Sequence, residues 1–203
     1  MKKIYPEFNQ QARGAPLHPY EDINSGIFID RYGATHDSNA EPRETRVRLG
    51  AFAAVYSRGH ILLTNPPWAP SVAELPGGGV NAGEVLEEGL KRELIEETGI
   101  VLPEGRDIAP LKANEAYINL YAEDVNRYYR YIQKFYYYDV SDLIAPDAGQ
   151  SSVVTAEGSR SFWHPVDRLD ELTLRVGHEH IIRDAVKFFQ SREQAPGIQG
   201  PCP

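Results

Sequence analysis

The chain has 203 residues, 41% hydrophobic and 25% charged, the balance of one globular domain with appendages. A formal net charge of −8 argues against broad binding to duplex phosphate backbones, yet suits a small nucleotide whose charge a metal ion offsets. No apolar run approaches the ~20 residues of a membrane span, and MKKIYPEFNQQ lacks the apolar stretch of a secretory signal.

The single cysteine, Cys202, leaves no partner for an intrachain disulfide, and the expected location is cytoplasmic. Residues 1–43 mix proline, glycine, asparagine and scattered charge around one β-like run, Ile27-Phe28-Ile29. They read as an N-terminal extension, with His18 and His36 as solvated surface residues. Residues 44–190 form the main domain, and 191–203 a frayed, flexible tail.

Arg46 to Tyr56 is apolar through its second half and reads as a buried strand. Ser57-Arg58-Gly59 makes the turn and His60 to Thr64 returns beside it. Asn65 to Pro70 is a rigid, proline-rich loop whose Trp68 is a candidate stacking platform for a base, or a cover for the core edge. After Val72–Leu75 and Pro76, the triplet Gly77, Gly78, Gly79 reads as a turn where backbone approaches a ligand closely.

A helix follows, from about Gly83 to Thr98, with Gly99 as its C-cap. Leu86, Leu90 and Leu94 form its core-facing stripe. Glu93 and Glu97, one turn apart, fall within or beside that stripe, and Glu96 lies just to the other side of Glu93. Glu87, Glu88 and Lys91 point elsewhere, as a solvated face should. Carboxylates gathered at a buried margin repel unless something compensates them. A hard divalent cation does so: oxygen ligands suit Mg²⁺ or Mn²⁺, and no nearby cysteine or histidine pair favours zinc. Arg92 is placed to pair with Glu88 or Glu96, or to fold back towards Glu84.

Gly78, five residues, Glu84, seven residues, then Arg92-Glu93-Leu94-Ile95-Glu96-Glu97-Thr98-Gly99-Ile100 resembles the Nudix box of the MutT-like hydrolases at every fixed position. Coincidence would produce that pattern in roughly one such chain in 10⁷. The resemblance implies an α/β/α sandwich with a mixed sheet and a loop–helix–loop catalytic motif. It also implies Mg²⁺ (Mn²⁺ in substitution) held by Glu93, Glu96, Glu97 and the carbonyl of Gly77 or Gly78, with Glu84 and Arg92 orienting them.

Beyond a connection over residues 102–111, Glu115 to Tyr121 and Tyr128 to Val140 read as two aromatic-rich strands around a polar turn. Tyr117, Arg127, Arg130 and Lys134 are candidates there for substrate contact, Arg130 and its neighbours through phosphate oxygens. A long polar loop, 141–156, precedes Glu157 and the strand Ser161 to Val166. By order along the chain, Glu157 occupies the place of a late acidic residue that reaches the metal in MutT-like enzymes. Glu115 and Glu123 compete with it for that place, and Glu93 or Glu157 is the expected base for the attacking water. His178 to Phe189 reads as an amphipathic helix, and His178 and His180, two residues apart, face differently and form no metal pair.

The expected reaction is cleavage of a nucleoside diphosphate linked to another group, first a (deoxy)nucleoside triphosphate to monophosphate and pyrophosphate. Dinucleoside polyphosphates, ADP-ribose or nucleotide sugars are alternative substrates, and a non-catalytic nucleotide-binding module is the rival class. A small nucleotide is the expected partner, with no duplex nucleic acid and no membrane. Exposed Ile95 and the extension leave room for a homodimer.

Overall fold

The computed structural model describes residues 25–30, 33–100, 110–146, 153–155, 158–175 and 177–194. Its framework is a nine-stranded mixed sheet whose path runs β2-β1-β7-β8-β3-β4-β10-β9, with β6 on a branch from β3. The long central strand β3 (Thr45–Ser57) lies parallel to β8 (Arg127–Asp139) over twelve consecutive partners, Thr45↔Tyr128 to Tyr56↔Asp139. β7 (Lys112–Ala122) runs antiparallel to β8, around a turn in which Asn126 takes φ 49°. β4 (His60–Asn65) pairs with β3 only at Tyr56 and Ser57, and β10 (Arg160–Pro165) adds to its outer side. Arg58 and Gly59, both at positive φ, supply the two-residue hairpin turn predicted at 57–59.

The edges hold the short strands β1 (Ile27–Ile29), β2 (Thr35–Asp37) and β9 (Val153–Val154). β1 joins β7 through Ile29↔Leu120. His36 is therefore no solvated surface residue: its ring contacts Asp30 at 3.1 Å and tilts against Tyr121. His18 and Cys202 lie outside the described residues.

Period-2 alternation along β3 and β8 supplies two cores, one per sheet face. Ala51, Ala53, Val55, Tyr136 and Tyr138 pack under helix α1 (Leu86–Thr98), which contributes Leu90 and Leu94. Phe52, Ala54, Tyr56, Phe135 and Tyr137 pack under helix α2 (Glu179–Glu193), through Ile181, Ile182, Ala185, Val186 and Phe189. Helix, sheet, helix is the predicted three-layer sandwich. The C-terminal helix runs past the predicted Phe189 and holds Ser191 to Glu193, where a frayed tail was expected: Glu193 accepts a hydrogen bond from the buried Tyr56 hydroxyl at 2.5 Å, tying the last turn to β3.

The glycine triplet is itself a strand, β6 (Gly77–Gly79), and not a turn; it lies antiparallel to β3 with Phe52↔Gly77, Ala51↔Gly78 and Gly50↔Gly79. The expected close neighbour was a ligand; the close neighbour that the structure shows is the backbone of β3. Gly77 has φ 137°, and a Cβ there would lie 2.6 Å from Phe52 Cα. The turn comes afterwards, at Asn81–Gly83, where Gly83 takes φ 86°. In front of β6, β5 (Val72–Ala73) pairs in parallel with β11 (Thr173–Leu174), which follows a 3₁₀ turn over Val166–Glu171.

Candidate active site

Two consequences of that topology build the site. Because β4 leaves β3 early and β6 takes only a three-residue stretch, no other strand among the described residues covers the outer edge of β6. Hydrogen bonds from Ala53 N–H to Pro76 and from Val80 N–H to Leu49 show which residues bond inward. Gly78 is in the hydrogen-bonding phase, while Gly77 and Gly79 turn their backbone groups outward. Those outward groups meet α1.

The Gly77 N–H donates to Glu97 Oε2 at 2.8 Å. The Gly79 carbonyl accepts from Arg92 Nη2 at 2.9 Å. The remaining donors of Arg92 reach Glu84 Oε1 (3.0 Å) and Oε2 (3.1 Å), Glu93 Oε1 (2.8 Å) and Glu96 Oε2 (2.9 Å). One guanidinium thus ties three carboxylates to the glycine strand. These hydrogen bonds, first to Glu84 and then to Glu93, raise the Arg92 pKa further above its ordinary value and keep it charged. Glu84, which also accepts from the Asn81 N–H at 2.8 Å, is held below the usual carboxylate range chiefly by Arg92.

The helix presents these groups as its periodicity requires. Leu90, Leu94 and Thr98 are buried, Glu93, Glu96 and Glu97 lie half-buried at the margin, and Glu87, Glu88 and Lys91 are exposed. Glu88 does not partner Arg92; it closes the first turn by accepting from the Val85 N–H at 3.4 Å. Gly99, at φ 69°, caps the last turn through its N–H to Ile95. Gly78 presses directly on the cluster: a Cβ there would stand 2.6 Å from the Glu93 carboxyl carbon. Among the described residues no three acidic or imidazole side chains converge as a ready metal cage. Two do converge, Glu93 and Glu96, on a single nitrogen of Arg92. All donors are hard oxygens, the set that suits Mg²⁺, which usually takes one or two carboxylates and completes its shell with substrate phosphates. The residues fit such an ion.

The sequence profile of the NUDIX domain matches residues 46–185, more than half of the chain. The chain belongs to the Nudix family. An 8-oxo-dGTP diphosphatase of Haemophilus influenzae is 37% identical over 97 residues, 48% of this chain and 57% of the relative. The chain therefore spans a little over half the length of that curated relative. Among solved structures, the fold resembles a bifunctional NMN adenylyltransferase/ADP ribose pyrophosphatase from Francisella tularensis complexed with AMP and a Mn ion. The TM-score is 0.51 at 21% identity, covering 72% of this chain and 43% of that one. A MutT NUDIX hydrolase from Burkholderia pseudomallei aligns with TM-score 0.45 at 24% identity, covering 70% of this chain and 96% of that one.

Of the residues singled out in the Nudix sequence, the structure brings Gly77, Gly78, Glu84, Arg92, Glu93, Glu96 and Glu97 to one place. Glu157 lies outside the described residues. Trp68 is 38% exposed, with the Arg175 guanidinium 5.6 Å over its ring. Tyr117 and Arg130 stand on β7 and β8, opposite Ile132 and Asn119 respectively. Lys134 and Arg127 are occupied by ion pairs with Glu115 and Glu44. Sequence reasoning missed the role of the Gly79 carbonyl, and missed His178. That histidine is fully buried, and its Nδ1 accepts from the Leu75 N–H at 3.2 Å, two residues before the glycine strand. A histidine between apolar stretches carries no signal of a partner 103 residues away.

Proposed function

We propose that this Nudix chain is a divalent-metal-dependent pyrophosphohydrolase that cleaves a (deoxy)nucleoside triphosphate to the monophosphate and pyrophosphate. The observation that carries it is the convergence of Glu93 and Glu96 on one Arg92 nitrogen beside the outward backbone of β6. Arg92 supplies a single positive charge against Glu84, Glu93 and Glu96, with Glu97 beside them, and a divalent cation would offset the negative charge that remains. Glu93, Glu96 and Glu97, with the outward carbonyl of Gly77, are the ligands assigned to Mg²⁺; the Gly78 carbonyl, in phase with β3, is not. When bound, the ion supplies Lewis-acid polarisation of the phosphates.

The rest is the work of the chain's own side chains. Arg92 and Glu84 fix the Glu93 carboxylate, with Oε1 directed at Nη1, so that its other oxygen is oriented to take a proton from the attacking water. Glu157 is kept as the alternative base. The triphosphate is preferred because the relative at 37% identity is a diphosphatase of 8-oxo-dGTP. Trp68, Tyr117 and Arg130 are kept as substrate contacts on their chemistry, a ring for a base and a guanidinium for phosphate.

The test is release of phosphate and pyrophosphate, with Mg²⁺ and with EDTA, from canonical and oxidised dNTPs, diadenosine polyphosphates, ADP-ribose and a nucleotide sugar. Metal-dependent pyrophosphate release fastest from a triphosphate supports the reading. Fastest cleavage of ADP-ribose or a dinucleotide moves the protein to another Nudix branch. No release from any of them refutes catalysis on these substrates and favours a binding module.

A further inference from the structure

The chemistry proposed above uses the α1 face of the glycine strand. We infer that Arg48, on the opposite face, is a dedicated contact for the phosphate chain of the same substrate, an inference that rests on reading the site as a phosphate centre. Alternation places Arg48, Gly50 and Phe52 on the α2 side of β3, while Leu49 and Ala51 face α1. Gly50 and Gly79 are direct partners across β3 and β6 and form a floor without side chains. Two groups lie on that floor. A Cβ at Gly50 would stand 2.7 Å from the Tyr131 ring, and one at Gly79 would stand 2.8 Å from Arg48 Nε.

The Nudix pattern fixes glycine at position 78, not at 79, so Gly79 needs a reason of its own. Room for the Arg48 guanidinium is that reason. The guanidinium is held by rings and not by acids, 5.5 Å from the centre of Tyr131 and 5.8 Å from that of Tyr129. Arg46, Arg92, Arg127 and Arg175 all pair with carboxylates, yet among the described residues no carboxylate pairs with Arg48. Its side chain is exposed. Gly79 consequently lies between two guanidinium groups. Arg92 takes its carbonyl and is neutralised by three glutamates; Arg48 retains its charge beside the strand edge.

Ring stacking holds a guanidinium flat without neutralising it, and its forked donors match phosphate oxygens two at a time. In a chain of net charge −8 an unneutralised cation beside a phosphate site lowers the electrostatic barrier to a polyanion. Arg48 reads the phosphate chain and performs no bond-breaking step, so its loss should appear in binding.

The experiment is equilibrium binding of a non-hydrolysable α,β-methylene nucleoside triphosphate, with Mg²⁺, to the full chain and four variants, each checked by thermal melting. Arg48→Ala should bind about ten- to thirtyfold more weakly, the worth of a charge-assisted hydrogen bond. Arg48→Lys should recover part of that, having charge without the fork. Gly79→Ala displaces only the tip of a flexible side chain; it should weaken binding similarly, with little added effect in the Arg48→Ala background. Arg46→Ala, on the same face but paired with Glu44, should leave binding unchanged. Arg48→Ala binding as tightly as wild type overturns the inference, whatever the turnover. A wild type that binds the analogue but hydrolyses no nucleotide refutes catalysis, and the binding ratio still decides Arg48. A wild type that does not bind the analogue overturns both.

Discussion

Gly78→Ala asks whether the glycine strand exists to place a carboxylate. A Cβ at this position would lie 2.6 Å from the Glu93 carboxyl carbon and 2.7 and 2.8 Å from its oxygens. Ordinary contact begins at 3.4 Å, so the carboxylate must retreat by about 0.8 Å. The obstructing group is the tip of a flexible side chain, and Gly78 is not among the positive-φ glycines, so the backbone accommodates alanine. The retreat either breaks the 2.8 Å bond from Arg92 to Glu93 or drags Arg92 off Glu84 and Gly79. Misplacing a reacting group by close to 1 Å costs on the order of 100-fold in rate, about 2.7 kcal/mol in barrier. The expected outcome is a kcat for pyrophosphate release about 100-fold lower at saturating Mg²⁺, with a Tm within about 3 °C of wild type. Gly77→Ala is the contrast. At φ 137°, with its Cβ facing Phe52 Cα at 2.6 Å and the Ala51 carbonyl, it meets backbone and should melt more than about 5 °C lower. Turnover by Gly78→Ala within threefold of wild type, or a Tm as low as that of Gly77→Ala, refutes the reasoning.

Three further outcomes are expected. Arg92→Lys keeps the charge but replaces a fork that bonds Glu84, Glu93, Glu96 and Gly79 with one ammonium, so kcat should fall by roughly 10²-fold; steady-state kinetics at saturating substrate check this. Glu97→Gln removes one charge from the proposed ligand set and should weaken Mn²⁺ binding about 10- to 100-fold, read by paramagnetic titration without substrate. Burial pushes the His178 pKa well below the ordinary 6.5, with Arg175 and His180 adding to the effect. A depressed folded-state pKa means that the unfolded chain takes the proton first. This contribution to stability is therefore complete above about pH 6.5 and falls as pH drops, by up to about 1.4 kcal/mol per unit. Melting curves from pH 7 to 5 should show the loss in wild type and not in His178→Asn, whose amide keeps an acceptor for the Leu75 N–H.

The sequence carried most of α1 because local rules determine it. Three leucines at helical spacing, a glycine to cap the end and glutamates at the stripe's margin marked the helix and its carboxylate-bearing face, and all reappear in the structure. The paired aromatic strands and the 57–59 hairpin were legible for the same reason. Gly77–Gly79 was misread because three glycines carry no alternation; their strand character comes only from β3, 27 positions earlier, whose backbone they approach. The partners of Arg92 were only partly legible, since helical spacing offers Glu88 and Glu96 equally and a rotamer decides between them. Glu74 is buried and ion-paired with Arg175 across 101 residues, a contact that no local pattern encodes.

A short strand with an uncovered edge is ordinarily a hazard, because its outward N–H and C=O groups invite another chain. Here the groups that cover it are those assigned to phosphate chemistry. Glu97 takes the Gly77 N–H and Arg92 takes the Gly79 carbonyl, so α1 closes the edge of β6 in place of a further strand. Fold and site are therefore coupled through particular bonds, and some changes at the site should register in stability while others should not. The oxygen of a glutamine at position 97 still accepts from Gly77, so Glu97→Gln keeps the edge covered and loses only charge. Glu97→Ala leaves the N–H to water and should cost about 1 kcal/mol more than Glu97→Gln in urea unfolding. Equal stability of the two variants would mean that the edge is protected by something other than the carboxylate.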